Sequence, residues 1–234
     1  MPSPSSIFVT GASRGIGLGL IRKFLLLKDV KHIFAAARDP AKSEAHVLDD
    51  NSIASAVQTV QGVVGVDGLN VLVNNAGVLE SIPLKGKPDR NKLLQQLHVN
   101  SVAPFVVIQY FLPLLEAAAA HNSALAPSSQ RAAIVNISSQ LGSIEQSLGS
   151  GYRNFIAYSM SKSAINQLTK SLSVDLKDIV SVSLHPGWVQ TDMGTQDAPL
   201  TVEESVAPLS ASIVHLQAKH SGGFFDRTLE PIPY

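Results

Sequence analysis

Short apolar runs that stop at small or polar residues, with long helical patterns between them, constrain this chain more than any other feature. Residues 7–10, 32–37, 69–73, 131–137 and 180–184 read as β-rich segments, and Phe224-Phe225 begins a last one. Helical periodicity marks 15–27, where Ile16, Leu20, Phe24 and Leu27 share a face, then 90–120 with a kink expected near Pro113, 157–176 and 202–218. Strands alternating with helices imply βαβ units, hence an α/β chain with a parallel sheet flanked by helices in a doubly wound, Rossmann-type arrangement. Such sheets bind ligands at the C-terminal ends of their strands, where this chain collects its small and polar residues. Repeats, low-complexity tracts and long linkers are missing, so residues 1–234 are expected to form a single domain.

Composition removes several function classes. Hydrophobic residues make up 45% and charged ones 15%, enough for a large core and too little charge for a disordered chain. Eighteen Lys and Arg balance eighteen Asp and Glu, which argues against a nucleic-acid surface. With no cysteine, disulfides, Cys-zinc sites and thiol catalysis are excluded. The seven histidines have no metal-ligand spacing, so no metal is expected. The opening MPSPSS is unlike a secretory signal, and the apolar stretch 102–115 is interrupted by Pro104, Gln109 and Pro113, so a cytoplasmic protein without a membrane span is expected. One segment is short. Only twelve residues, 40–51, separate the second strand from the next helical run. Either the second helix is about one turn and His46-Val47-Leu48 is a stub of a third strand, or part of this region is missing; both alternatives stay open.

The first strand runs into Thr10-Gly11-Ala12-Ser13-Arg14-Gly15-Ile16-Gly17 and then a helix. Glycines permit a tight turn and close backbone approach, and the helix N-terminus offers free N–H groups to a pyrophosphate. The spacing is G-x-x-x-G-x-G. At the end of the second strand an NAD site would place an acid, whereas this chain has Arg38, whose guanidinium suits a 2′-phosphate. Arg14 offers a second positive charge. The pair favours NADPH/NADP+, and Asp39 keeps NADH as the weaker alternative.

Tyr158 and Lys162 are spaced i, i+4 on a helical pattern, so they share a face. A nearby ammonium is expected to lower the phenol pKa from about 10 toward a range useful for proton exchange. Ser138-Ser139 and Asn74-Asn75-Ala76-Gly77 end core strands, and Asn100 lies in a helical pattern leading into apolar residues; all can converge on one cleft.

TGASRGIG, NNAG, Asn100, ISS at 137–139, YSMSK and PG at 186–187 resemble, in order, the motifs of the short-chain dehydrogenase/reductase family, over nearly the whole chain. NNAGVLE, LGSI, SLSVDL and HPGWVQTDMG look most like the sniffer-type carbonyl reductases and the C-factor proteins. The resemblance implies reversible reduction of an aldehyde or ketone by NADPH. It makes Tyr158 the acid, Ser139 rather than Ser138 the group that positions the carbonyl oxygen, Lys162 the ribose ligand that depresses the tyrosine pKa, and Asn100 the holder of a relay water. Gly11, Ser13, Arg14, Gly15, Ile16, Gly17 and Arg38 would hold the phosphate end of the cofactor. Asn74, Ala76 and Gly77 would line it, with Pro186, Gly187, Val189 and Thr191 at the nicotinamide end and Tyr158 and Lys162 also touching it. A homodimer through 97–115 and the Tyr158 helix is the family's usual assembly. Two departures stand out. The tyrosine follows Ser139 by nineteen positions, more than the family commonly uses, which puts an insertion in 146–155 beside the substrate site. The family's Asp-hydrophobic pair, which contacts adenine, has no counterpart in register among Leu48-Asp49-Asp50-Asn51. Trp188 suits either a pocket wall or the core. A non-catalytic dinucleotide sensor or signalling protein on the same fold is the second reading; a G-x-S-x-G hydrolase elbow is absent.

Overall fold

The computed structural model describes residues 3–37, 46–146 and 154–234. Strands β1 (Ser6–Thr10), β2 (His32–Ala36), β3 (Val71–Asn74), β4 (Ala133–Ile137), β5 (Val180–His185) and β6 (Gly223–Asp226) form one sheet in the order β2-β1-β3-β4-β5-β6, and every pairing is parallel. β1, β3 and β4 are buried along their whole length, which is why they lack polar alternation. Helices cover both faces. α1 (Gly15–Phe24) and α6 (Val202–Val214) pack on one side through Leu20, Phe24, Val206, Leu209 and Ile213. On the other side lie α2 (Asp50–Val64) and α4 (Ala103–His121), with Val60, Ile108, Phe111 and Leu115 against the sheet, and α5 (Ile156–Asp175). The order in which strands are added reverses between β1 and β3, and the crevice at that switch point is where such sheets bind ligands.

The structure corrects the sequence reading at three places. His46–Leu48 is a 3-10 turn, not a strand stub; the one-turn helix expected before it falls outside the described residues, and the helical run after it is α2, with the Asp49 side chain accepting from Asn51 N at 3.2 Å as its N-cap. The sheet therefore has β2 at its edge; no strand pairs with its outer side among the described residues. The region 90–120 is interrupted, but not at Pro113. α3 (Arg90–Leu97) passes into a π turn over His98–Val102 and then into α4. Pro104 has no N–H to give to the carbonyl of Asn100, so the α ladder fails there. Pro113 stays within α4 because it and Gln109, whose carbonyl it leaves without a donor, both face outward. The helical run Arg90–His121 spans 32 residues through the π turn, and an 18-residue stretch of it has mean hydropathy 1.7, enough to cross a membrane by length and composition alone; half of that stretch is buried in the fold. Finally, α6 stops at Val214, and a separate 3-10 turn covers Ala218–His220.

Two glycines should respond oppositely to alanine. Gly68, before β3, has φ +72°, and a Cβ there would stand 2.3 Å from Ala118 N and 2.4 Å from Leu114 O. Gly62 lies inside α2 with open space around it. Gly68→Ala is expected to destabilise by about 2–4 kcal/mol, and Gly62→Ala to stabilise by about 0.4–1 kcal/mol, both read from denaturant midpoints.

Candidate active site

The C-terminal ends of β1 and β3 are stitched together by side chains. Thr10 Oγ1 accepts from the backbone N–H groups of Asn75 and Ala76, each at 3.0 Å, and Asn75 Nδ2 donates to the carbonyls of Thr10 at 2.9 Å and Gly11 at 3.2 Å. Asn75 is the residue that sequence reading missed between its neighbours Asn74 and Ala76. Its signal was the NNAG motif, but its partners lie 64 and 65 positions away. The stitch needs Gly11 and Gly17 bare. A Cβ on Gly11 (φ +66°) would sit 2.9 Å from Ala76 Cα, and one on Gly17 would sit 2.3 Å from Gly11 O.

Above this cradle α1 begins with no side-chain cap and no acid in its first turn, so the N–H groups of Gly15, Ile16 and Gly17 are free to meet an anion. Ser13 and Arg14 lie exposed on the same loop. The loop after β5 folds back over the cradle: Thr191 Cγ2 would be 3.2 Å from a Cβ on Gly15. Pro186 O accepts from Ser205 Oγ at 2.7 Å, Gly187 takes φ +91°, and Val189 is buried against Leu200. Backbone N–H groups, bare glycines and a facing loop fit a dinucleotide.

Arg14 does not take the place expected of it. Its guanidinium pairs with Asp192 on the loop after β5, between two exposed side chains, so it bridges the two loops instead of facing the end of β2. Arg38 and Asp39 lie outside the described residues, as do 147–153 of the insertion. Trp188 is 52% exposed, with Nε1 donating to Gly194 O, and so belongs to the surface by the cleft and not to the core.

α5 delivers the acid-base pair. Tyr158 and Lys162 are both buried on its inner face, and the Lys162 ammonium lies 5.5 Å from the centre of the Tyr158 ring. Lys162 Nζ donates to Ile137 O at the end of β4 at 2.8 Å. The helix can come this close because the turn after β4 carries Gly142; a Cβ there would lie 2.8–2.9 Å from the Lys162 backbone and Cβ. Gly142 O accepts from Ser163 Oγ and Asn166 Nδ2, and Ser138 Oγ donates to Asn166 Oδ1 at 2.7 Å. Ser138 is thus consumed in joining β4 to α5. Ser139, the next residue, accepts from Leu141 N at 3.2 Å, and its hydroxyl lies near enough to the Tyr158 phenol to favour the phenolate.

Asn100, in the π turn, aligns with this group differently from expectation. Its Oδ1 accepts from Val78 N at 2.9 Å, and its Nδ2 donates to Val78 O at 2.8 Å and Ser161 Oγ at 3.0 Å. The side chain is fully used in tying the loop after β3 to α5. Its backbone carbonyl lacks the donor that an α-helical residue 104 would give, because Pro104 has no N–H. Gly77 lies between: a Cβ there would be 3.3 Å from Asn100 Oδ1 and 3.9 Å from Lys162 Nζ. Asn74 donates to Asn136 Oδ1 through Nδ2, while its Oδ1 is buried without a partner.

Electrostatics correct one expectation. Burial pushes the Tyr158 phenol up to about 12, and the Ser139 hydrogen bond offsets part of that rise. Burial also lowers Lys162 to about 8. Desolvation, which penalises whichever form is charged, outweighs the helix-face proximity that predicted a lowered phenol. His185, at the end of β5, is brought down to about 4, by burial first; Asp226 opposes the drop, and Arg227 and Lys162 add to it.

The role of Gly142 is testable: Gly142→Ala is expected to cost about 1–3 kcal/mol of stability and to lower kcat by separating Ser139 from Tyr158, read by thermal melts and steady-state assay.

Comparison with known proteins places this site in context. The C-signal protein of Myxococcus xanthus is 34% identical over 168 residues, covering 71% of this chain and 93% of its own. A short-chain dehydrogenase of Pyricularia oryzae is 29% identical over 261 aligned positions, 96% of each chain, so it carries residues that this 234-residue chain lacks. Among solved structures, the carbonyl reductase Sniffer of D. melanogaster superposes with TM-score 0.92 at 37% identity, covering 99% of this chain and 100% of its own. An NADPH-bound carbonyl reductase from chicken fatty liver gives 0.91 at 33%, covering 100% and 96%. Residues 5–199 match the short chain dehydrogenase family, and with the glycine cradle, the Ser139–Tyr158–Lys162 cluster and the parallel sheet in place, this chain is a member of that family.

Proposed function

We propose that the protein is an NADPH-dependent reductase of aldehyde or ketone carbonyls, acting through one domain. The observation that carries this reading is the convergence of Ser139 and Lys162 on a buried Tyr158 at the C-terminal end of β4. Sniffer of D. melanogaster and the NADPH-bound chicken enzyme, both carbonyl reductases by name, support the same chemistry and cofactor.

The cofactor, when bound, supplies the hydride to the carbonyl carbon. The chain's own residues supply the rest. Ser139 donates a hydrogen bond to the carbonyl oxygen and holds it near the phenol. Tyr158 gives that oxygen its proton; a phenol near 12 is fully protonated at neutral pH, as an acid must be. Lys162, still mostly charged below about 8, stabilises the phenolate left behind and binds the nicotinamide ribose. A water on the Asn100 carbonyl returns the proton. The reverse sequence oxidises an alcohol. The C-signal relative brings signalling to mind, but a non-catalytic sensor has no use for a buried, mutually oriented serine, tyrosine and lysine. Exposed Leu94, Val102, Phe105, Ile156 and Met160 on α3, the π turn, α4 and α5 support a homodimer across those helices.

With a panel of aldehydes and ketones, Tyr158→Phe is expected to lower turnover by at least about a hundredfold while NADPH binding persists. Wild-type protein that binds NADPH but turns over no carbonyl would refute the proposal. The sign of the pH dependence follows from Lys162. Its charge is present below about 8 and lost above, so kcat/KM for reduction should be flat near neutrality and fall on the alkaline side of pH 8.

A further inference from the structure

The segment that follows Ser139 draws support from far along the chain. After the 3-10 turn Gln140–Gly142, which Gly142 seats on Lys162, the chain runs outward, and Ile144 is 79% exposed. Short-range bonds hold residues 143–146 to the turn. Ser143 N donates to Gln140 O at 3.0 Å, Gln146 N to Ser143 Oγ at 3.0 Å and Gln140 Nε2 to Gln146 Oε1 at 2.9 Å. These bonds make 139–146 one unit but do not fix that unit to the fold. Among the described residues, one hydrogen bond joins 143–146 to a distant part of the chain. Glu145 N donates to Tyr234 O at 2.9 Å.

Tyr234 is itself firmly placed. β6 is the last strand on its side of the sheet, and the chain beyond it turns back along the free edge. Asp226 Oδ1 fixes the reversal by accepting from Thr228 N, Thr228 Oγ1 and Glu230 N. Asp226 N then donates to Glu230 O at 2.9 Å and Ile232 N to Phe224 O at 2.8 Å, with an antiparallel bridge between Phe225 and Pro231. The returning chain so covers an edge that would otherwise stand unpaired. At its end the Tyr234 ring lies against Phe224, with centroids 6.1 Å apart, and its hydroxyl donates to Gly222 O at 2.5 Å. Ring and hydroxyl anchor Tyr234 at the start of β6, and its main-chain carbonyl is thereby presented to Glu145 from a fixed point of the sheet.

We propose that Tyr234 is a positioning residue for the carbonyl substrate. Through Glu145 it holds the turn that begins at Ser139, and with it the hydroxyl that orients the carbonyl oxygen. The inference rests on the reductase reading above. The glycine cradle is built from β1, β3 and α1, on the other side of β4 and β5 from β6, so cofactor binding does not depend on Tyr234. Hydrogen exchange of the full chain, read by mass spectrometry, and steady-state kinetics with NADPH and a carbonyl panel test it together. Tyr234→Ala, which removes ring and hydroxyl, should speed amide exchange in 140–146 by at least about tenfold. It should lower kcat/KM for carbonyls by about tenfold and leave NADPH affinity unchanged, a split that a general loss of structure would not give. Tyr234→Phe keeps the ring on Phe224 and should recover most of both, with losses of about threefold; it serves if the alanine variant does not fold. Unchanged exchange at 140–146, unchanged kcat/KM, or an equal loss of NADPH affinity in the folded variant would overturn the proposal. Wild type that reduces no carbonyl overturns the reductase reading and this role with it; faster exchange at 140–146 in the variant would then mark the Tyr234 contact as structural.

Discussion

The proposed catalytic group depends on how closely α5 approaches the end of β4. Lys162 reaches the carbonyl of Ile137 from inside the protein, and the turn that follows that strand has no Cβ at Gly142 to hold the helix away. Ser138 and Asn166 pin the contact from the side. Ser139, on the opposite side of the chain from Ser138, caps the following turn by accepting from Leu141 N and neighbours the Tyr158 phenol. The alternation of a structural and a functional serine is thus a consequence of strand geometry, in which consecutive side chains face opposite ways.

The same closeness sets the electrostatics. Burying a phenol and an ammonium together raises the first and lowers the second, so each is favoured in its neutral form. A carbonyl reductase needs its acid protonated before the reaction and its product phenolate stabilised afterwards. A buried Tyr158 beside a Lys162 that is still charged at neutrality meets both needs.

At the cofactor end the economy is of another kind. The sheet stops at β2, and the connection to α2 is spent on a 3-10 turn and a helix cap. The phosphate cradle is unaffected, because Thr10, Asn75 and the bare glycines build it from β1 and β3 alone. Arg14 is drawn off to Asp192, tying the glycine loop to the loop after β5 across the cleft.

Much of this was legible in the residues. Apolar runs between helical patterns are what a two-sided parallel sheet requires, and β1 to β4 fall on such runs, while β5 alternates valine with buried serine and β6 offers only Phe224-Phe225. Tyr158 and Lys162 could be paired because an i, i+4 spacing on a helix is a local relation. The π turn at Asn100 was legible in principle, since Pro104 removes a donor four residues on, but its effect was assigned to Pro113, where outward-facing groups absorb the loss. What tertiary structure alone decided are relations between distant segments. They include the partner of Arg14, 178 positions away, the full use of the Asn100 side chain on Val78 and Ser161, and the bridging role of Asn75. The direction of the Tyr158 shift belongs with them, for spacing along a helix reveals a neighbouring charge, whereas desolvation depends on everything that folds around it.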